Sequence, residues 1–178
     1  MINAFRSAIA SIRKFLDPLL DYLIISAVIF LVIDVLWGVY TRYRLGEPSR
    51  WTEEIARFLL MWVALLGTAV AFREKEHLGF DYLINKLHPE ARRLAALASH
   101  LVTLTFVAFV MVVGGFSLVF ETLEVNQLTP ALELRMGYVY VVLPLSGLFI
   151  VLYVVEQFLC ELEDESRIPL SDEAHQDT

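Results

Sequence analysis

Residues 22–41, YLIISAVIFLVIDVLWGVYT, decide the fold of this chain. Asp34 is the one charged residue among these twenty. A helix rises about 1.5 Å per residue, so roughly 20 apolar residues cross the roughly 30 Å hydrocarbon core of a lipid bilayer. The stretch therefore predicts a transmembrane helix.

Three further apolar runs follow, at about residues 55–72, 94–120 and 136–160. The dense clusters of charge lie between the runs and at the two ends of the chain. With 57% hydrophobic residues among 178, the chain has more apolar surface than one soluble core of this size could bury. The runs are continuous and do not alternate as the strands of a membrane barrel do. We predict an all-α membrane protein with four transmembrane helices.

The distribution of lysine and arginine predicts which side each loop faces, because short cytoplasmic loops are rich in these residues. The N-terminal segment, the second loop and the C-terminal tail carry nine of them. The first and third loops carry four, which are Arg42, Arg44, Arg50 and Arg135. Both termini are therefore predicted to be cytoplasmic.

The chain divides into three predicted regions. Residues 1–21 carry a helical apolar stripe, as does the second loop, and both are predicted to form short amphipathic interfacial helices on the membrane surface. The second stripe, which consists of Phe80, Leu83, Ile84 and Leu87, could instead pack against the protein's own spans. Residues 22–160 form the transmembrane domain, and residues 161–178 an acidic tail predicted to be disordered.

Composition excludes several classes of function. The single cysteine, Cys160, excludes an internal disulfide and a four-cysteine zinc site. His100 is the one histidine within a span, whereas a haem held by two histidines needs a second. We expect no cofactor, no nucleic-acid partner and no enzymatic activity. The two halves show no repeat, so the chain lacks the inverted duplication typical of a complete secondary transporter.

Ionisable residues inside spans are costly and are therefore candidates for function. Asp34 and Arg57 both fall in the outer half of the bundle, and we predict that Arg57 pairs with Glu53, Glu54 or Asp34. Contact with a partner subunit and ion translocation remain alternatives for this group. Glu156 and Gln157, in the last turns of the fourth span, are expected to reach the membrane surface.

Several residues predict local structure. Thr52 is a predicted cap for the second span, and Thr129 followed by Pro130 predicts the start of a helix leading into the fourth. Pro144 should kink the fourth span. Gly67, Gly114, Gly115 and Gly147 should allow close helix approach. Trp51 belongs to a predicted aromatic belt at the outer interface.

One motif is specific enough to indicate a family. The string W-T-E-E-x-A-R at residues 51–57, with Arg42 before it and Trp62, Gly67, Arg73 and His77 after it, resembles the small membrane subunit of tripartite ATP-independent periplasmic (TRAP) transporters, the DctQ-like family. The resemblance extends through Leu87-His88-Pro89 to the segment YVYVVLP at residues 138–144, and covers most of residues 15–160. Asp34 departs from the pattern, because that position is usually apolar or a neutral amide in the family.

The resemblance implies a sodium-driven importer of organic acids in the bacterial inner membrane. A periplasmic substrate-binding protein delivers the substrate, a large membrane subunit transports it, and the small subunit acts as a scaffold. The residues to which this implies a structural or subunit-interface role are Asp34, Arg42, Trp51, Glu53, Glu54, Arg57, Trp62, Gly67, Arg73, His77 and Pro144.

Two other classes of protein share parts of this pattern. A small proton-coupled exporter, working as a homodimer, would use one intramembrane acid, for which Asp34 is the candidate. Its acid would face a water-filled cavity and not its neighbour Arg57. A membrane anchor of a respiratory oxidoreductase would need haem histidines or a quinone pocket.

Overall fold

The computed structural model of the protein describes residues 2–44, 46, 49–74 and 89–167, with side chains for those between 13 and 158 apart from 89–94 and 96. The described chain is almost entirely helical. Its elements are α1 (Ile2–Arg44), α2 (Arg50–Arg73), α3 (Pro89–Phe106), a π-helical segment (Val107–Val113), α4 (Gly114–Glu124), α5 (Met136–Tyr140) and α6 (Val142–Arg167).

Four stretches of helix are long and apolar enough to cross a membrane, which confirms the predicted all-α class with four spans. These stretches are Arg13–Arg44, Arg50–Arg73, Leu97–Glu124 and Met136–Phe158. The third joins α3, the π-helical segment and α4 without a break, and the fourth joins α5 and α6.

The predicted boundary between an interfacial segment and the first span does not appear, because α1 runs unbroken through Pro18. Arg13, Asp17 and Leu20 recur every three or four residues and turn one continuous face toward the rest of the bundle. The prediction of a disordered tail is wrong for residues 161–167, which continue α6. The apolar stripe of the second loop lies outside the described residues.

The fourth span is the centre of the bundle. Half of its most apolar window is buried, against 17% or less in the other three. The core forms where α6 meets α1, α2 and the third span, and its fully buried side chains include Leu20, Leu66, Val142, Ile150 and Tyr153. Close van der Waals packing of these side chains helps to hold the helices together, because lipid is itself apolar and transfer from lipid to the core gives little hydrophobic gain.

Close contact between the third and fourth spans depends on glycines. A Cβ atom on Gly147 would lie 2.9 Å from Met111 Cβ, and one on Gly115 would lie 2.9 Å from Pro144 Cδ. Gly67, predicted to have this role, does not have it, because its Cβ would meet only Ile24 Cδ1 at an ordinary 3.7 Å. The fourth span is interrupted at Val141, three residues before Pro144, whose nitrogen cannot donate to the preceding turn.

Candidate functional site

The most extensive polar cluster in the described part of the chain lies where the first membrane span begins and the second and fourth spans end. We call it the three-helix cluster, and it consists of Arg13, Asp17, Asp21, Arg73, Glu74, Tyr153, Glu156 and Gln157. Arg13, Arg73 and Glu156 lie at or within two residues of the ends of these spans, where charged heads can reach water while their stems pack against apolar surface.

Arg13 joins α1 to α6. Its Nη1 donates to Glu156 Oε2 at 2.7 Å, and its Nε lies 3.4 Å from Asp17 Oδ2. The guanidinium carbon also lies 5.4 Å from the centre of the Tyr153 ring, within the range of a cation–π interaction. Glu156 therefore bonds across the helix interface, where the sequence had indicated a carboxylate free at the membrane surface.

Tyr153 and Asp17 form the most deeply buried contact of the cluster. The Tyr153 side chain is 1% exposed, and its hydroxyl donates to Asp17 Oδ1 at 2.8 Å. A buried hydroxyl needs a partner, so this bond removes the cost of placing the phenol in the core.

Arg73 joins α2 to α1. Its Nη1 donates to Asp21 Oδ1 at 2.7 Å and makes a longer contact of 3.4 Å with the Asp17 carbonyl oxygen, while its Nε donates to Glu74 Oε1 at 3.0 Å. Gln157 Nε2 donates to the Phe72 carbonyl oxygen at 2.7 Å, which connects α6 to the end of α2. Three helices are thus cross-connected by charge-assisted and side-chain to backbone hydrogen bonds.

Of this cluster, the sequence had indicated Arg73 as a candidate for a structural or subunit-interface role and Glu156 as an ionisable residue within a span. Two features of the sequence could have indicated the cluster. Asp17 and Asp21 are two acids one helical turn apart just before an apolar run, and Glu156 and Gln157 are polar residues at the end of another. The sequence does not show that these two sets meet.

At the opposite end of the bundle, Glu54 holds the loop between α4 and α5. Its Oε2 accepts hydrogen bonds from the backbone nitrogens of Ala131 at 3.0 Å and Leu132 at 2.9 Å. Trp62, another candidate, donates from Nε1 to the Val139 carbonyl oxygen at 3.0 Å. Both residues of α2 therefore fix the chain that leads into the fourth span.

The loop itself is a short hairpin and not the predicted helix start. Thr129 is buried; its nitrogen donates to the Leu134 carbonyl oxygen at 2.8 Å, and its Oγ1 accepts from the Leu134 nitrogen at 3.2 Å. The Thr129 side chain thus closes a turn, and the fourth span begins at Met136. Likewise, α2 begins after Ser49 and not at Thr52, whose Oγ1 donates back to the Ser49 carbonyl oxygen at 2.7 Å.

Asp34 lies beside a cavity between α1 and α2 at the same end as Glu54. Asp34 is 8% exposed, and its Oδ2 has no hydrogen-bond partner in the described part of the chain. The cavity has a volume of about 190 Å³ and is lined by Asp34, Val35, Gly38, Val39, Arg42, Ser49, Thr52, Glu53 and Ala56.

The predicted ion pair of Arg57 is not formed. Arg57 is exposed, and within the described ranges it has neither an ion pair nor a hydrogen bond through its side chain. Glu54 is instead engaged by the loop, and Glu53 is exposed on the cavity wall. The prediction fails because a long arginine side chain can reach the interface without a partner.

The remaining candidates fall at the surface or outside the description. Arg42 and Trp51 are exposed at the mouth of the bundle, and Pro144 is buried against Gly115. His77 lies outside the described residues. Among the residues that are described, no three histidine, cysteine or acidic side chains form a group that could hold a metal ion.

Comparison with known proteins assigns the family. The family described as the DctQ component of tripartite ATP-independent periplasmic transporters matches residues 12–164. A TRAP transporter small permease protein of Haemophilus influenzae is 29% identical over 140 residues, which cover 79% of this chain and 85% of that protein. The small permease protein SiaQ of the sialic acid TRAP transporter of Vibrio cholerae is 25% identical over 148 residues, 82% of this chain and 83% of its own length.

A third relative shows a different arrangement. The isethionate TRAP transporter permease protein DctMQ of Oleidesulfovibrio alaskensis is 29% identical over 109 residues. These cover 61% of this chain but only 17% of that protein. In this relative, the matching region is therefore a small part of a much longer permease.

Three observations agree, namely the W-T-E-E-x-A-R string, the four spans and the family match over residues 12–164. The small permease relatives are proteins of the bacterial inner membrane. This multi-pass membrane protein belongs to the DctQ component family, the small permease subunits of TRAP transporters.

Proposed function

We propose that this chain is a non-catalytic scaffold subunit of a sodium-driven importer of organic acids. It braces a large membrane subunit, which carries the transport site and receives substrate from a periplasmic substrate-binding protein. In this proposal both termini lie in the cytoplasm and the Glu54 end of the bundle faces the periplasm, as the lysine and arginine distribution favours.

The three-helix cluster is the observation that carries the scaffold role. It fixes α1, α2 and α6 at one end through contacts of 2.7–2.8 Å, while Glu54 and Trp62 fix the other end. Polar groups that bond to one another across helices maintain a shape, because each bond fixes the position of one helix against the next. A rigid bundle of this kind suits a brace for a moving partner.

The outer surfaces favour a membrane partner. One face of α1 carries Ile29, Phe30, Ile33 and Leu36, each at least 53% exposed, and the third span carries exposed Phe106, Phe109 and Phe120. The match to part of the long permease DctMQ supports a large membrane subunit as that partner. The relatives named for sialic acid and isethionate support organic acids as the class of substrate.

Reconstitution tests the proposal. The tagged chain should retain a large membrane subunit in mild detergent, and liposomes containing both, supplied with the binding protein, should accumulate labelled organic acid under an inward sodium gradient. Omission of any one component should abolish uptake. Uptake by the large subunit and binding protein alone would contradict the scaffold role.

The exporter remains a second candidate because of one observation, namely that Asp34 lines a cavity and does not pair with Arg57. We expect liposomes that contain only this chain to move no solute, since coupled transport needs ion and substrate sites. Proton- or sodium-driven flux through such liposomes, lost in Asp34→Asn, would favour the exporter.

A further inference from the structure

Asp34 is a buried carboxylate whose hydrogen-bonding capacity is not met within the described chain. Its Oδ2 has no partner, and the residue as a whole is 8% exposed. Leaving a buried carboxylate oxygen unpaired is costly, more so in the apolar interior of a membrane bundle than near water. Arg42, eight residues further along the helix, lies about 12 Å above it at 1.5 Å per residue. We therefore expect the hydrogen-bond donor for the Asp34 carboxylate to come from outside α1.

The cavity beside Asp34 has room for such a donor. Its volume of about 190 Å³ far exceeds the roughly 15 Å³ that one water molecule needs on the same measure. Ser49 also lines the cavity, and its Oγ is another buried atom without a hydrogen-bond partner in the described part. Two of the residues that line this cavity therefore each carry a buried polar atom without a hydrogen-bond partner among the described residues.

The walls of the cavity indicate what kind of group fits. Val35, Gly38, Val39 and Ala56 form an apolar channel, and the charged residues on it are Asp34, Glu53 and Arg42, two acids and one base. A lysine or arginine side chain matches this pattern, because its hydrocarbon stem can pack along apolar walls while its charged head meets a carboxylate.

The position of the cavity favours a protein partner over lipid. Val35 and Val39, which form its rim, are 47% and 49% exposed on the outer face of α1. Within the bilayer such a face is covered by acyl chains or by another protein, and acyl chains carry no hydrogen-bond donor. Asp34 also lies about one helical turn before Trp37, an aromatic residue of the kind that gathers at the membrane interface, and so is expected to lie deeper in the bilayer.

We propose that the Asp34 cavity is a docking site for a lysine or arginine side chain of the large membrane subunit. This inference rests on the proposed function, in which such a subunit binds this chain. The incoming head pairs with Asp34 and comes within reach of Ser49, and its stem covers the rim formed by Val35 and Val39. The pair exists only in the complex.

Two measurements on Asp34→Asn test this proposal. The first is the Tm of the small subunit purified alone in detergent, which should stay the same or rise, because the variant removes a charge that has no internal partner. The second is the apparent Kd for the large subunit, which should rise by at least about tenfold, because the incoming cation loses its carboxylate.

Asp17→Asn is the matched control, since it changes the same residue type on the same helix. Asp17 accepts a hydrogen bond from Tyr153, so this variant should lower the Tm of the isolated subunit. An Asp34→Asn variant that lowers the Tm as Asp17→Asn does, or that binds the large subunit as tightly as wild type, overturns the proposal.

A charge exchange identifies the partner residue. Asp34→Lys should prevent assembly, and an acidic substitution at one basic position of the large subunit should restore it. Failure of rescue at every basic position in its membrane spans counts against the docking site. If the wild-type chain retains no large subunit, the proposed scaffold function fails. If wild type and Asp34→Asn bind the large subunit equally well, only the docking site fails.

Discussion

At the scale of single residues, the bond between Tyr153 and Asp17 should contribute measurably to stability. Tyr153→Phe removes the hydroxyl that donates to Asp17 Oδ1 at 2.8 Å and leaves a carboxylate oxygen without that donor. We expect a loss of about 1–2 kcal/mol, since hydrogen bonds to charged groups are worth more than neutral ones while those in membrane proteins are modest on average. The measurement is thermal unfolding of the purified subunit in detergent.

Tyr138→Phe is the control for this change. Tyr138 lies on the same span but is 62% exposed, and no side-chain hydrogen bond of its hydroxyl occurs within the described chain. Its loss should leave the Tm unaltered. An equal fall in Tm for both variants would mean that the buried bond adds nothing beyond a general effect of removing a hydroxyl.

The sequence identified which ionisable side chains are costly to place in a membrane span, but not which partners they bind. The rule that ionisable groups in spans need an explanation selected Asp34, Arg57, His100 and Glu156. Glu156 does have a partner, Arg13, whereas Arg57 has none in the described chain and Asp34 faces a cavity. Partner choice depends on the rotation of each helix about its axis, which hydropathy leaves open.

At the scale of elements, Glu54 should govern the hairpin between α4 and α5. Glu54→Ala removes the acceptor of the Ala131 and Leu132 amides. We expect these two amides to exchange hydrogen roughly tenfold faster, which corresponds to about 1.4 kcal/mol of local opening. Hydrogen exchange followed by mass spectrometry of the loop peptide measures it.

The neighbouring acid provides the control. Glu53→Ala changes a residue of the same type that is exposed and has no hydrogen bond to the loop. Loop exchange should remain as in wild type. Faster exchange in Glu53→Ala would show that negative charge at this helix start, and not the specific acceptor, protects the loop.

Contact between the third and fourth spans should depend on Gly147. In Gly147→Ala the new Cβ would lie 2.9 Å from Met111 Cβ and 3.1 Å from Val112 Cγ2, so the π-helical segment must shift. We expect a loss of about 1–3 kcal/mol, the usual cost of overpacking. Thermal unfolding in detergent measures this loss.

Gly67→Ala should be tolerated, because its nearest neighbour would be 3.7 Å away. Alanine also favours helix over glycine. If Gly67→Ala destabilised the subunit as much as Gly147→Ala, close packing at Gly147 would not be the cause of either effect.

The elements also show which parts of a membrane fold are readable from sequence. The four spans were predictable, because a bilayer imposes a length and a polarity that hydropathy reports directly. The start of α2 and the Thr129 hairpin were not, because threonine stabilises turns and helix starts alike. The π-helical segment Val107–Val113 is a uniformly apolar stretch with no local signal.

At the scale of the whole molecule, the predicted orientation can be tested by cysteine labelling in a Cys160→Ser background. Gln127→Cys, in the exposed hairpin, should react with a membrane-impermeant maleimide from the periplasmic side. Ser166→Cys, near the end of α6, should react only after the inner membrane is permeabilised. The reverse pattern would invert the topology and place the three-helix cluster in the periplasm.

The contacts of the three-helix cluster join residues that the ribosome adds at widely separated times. Arg13 and Glu156 are 143 positions apart, so at 5 to 20 residues per second the ribosome needs roughly 7 to 30 s to deliver the second after the first. During that interval neither Arg13 nor Asp17 can bond to α6. A nascent chain that stops before residue 153 never supplies Tyr153 or Glu156. The bonds that join α1 to α6 therefore form only after the last span has been translated.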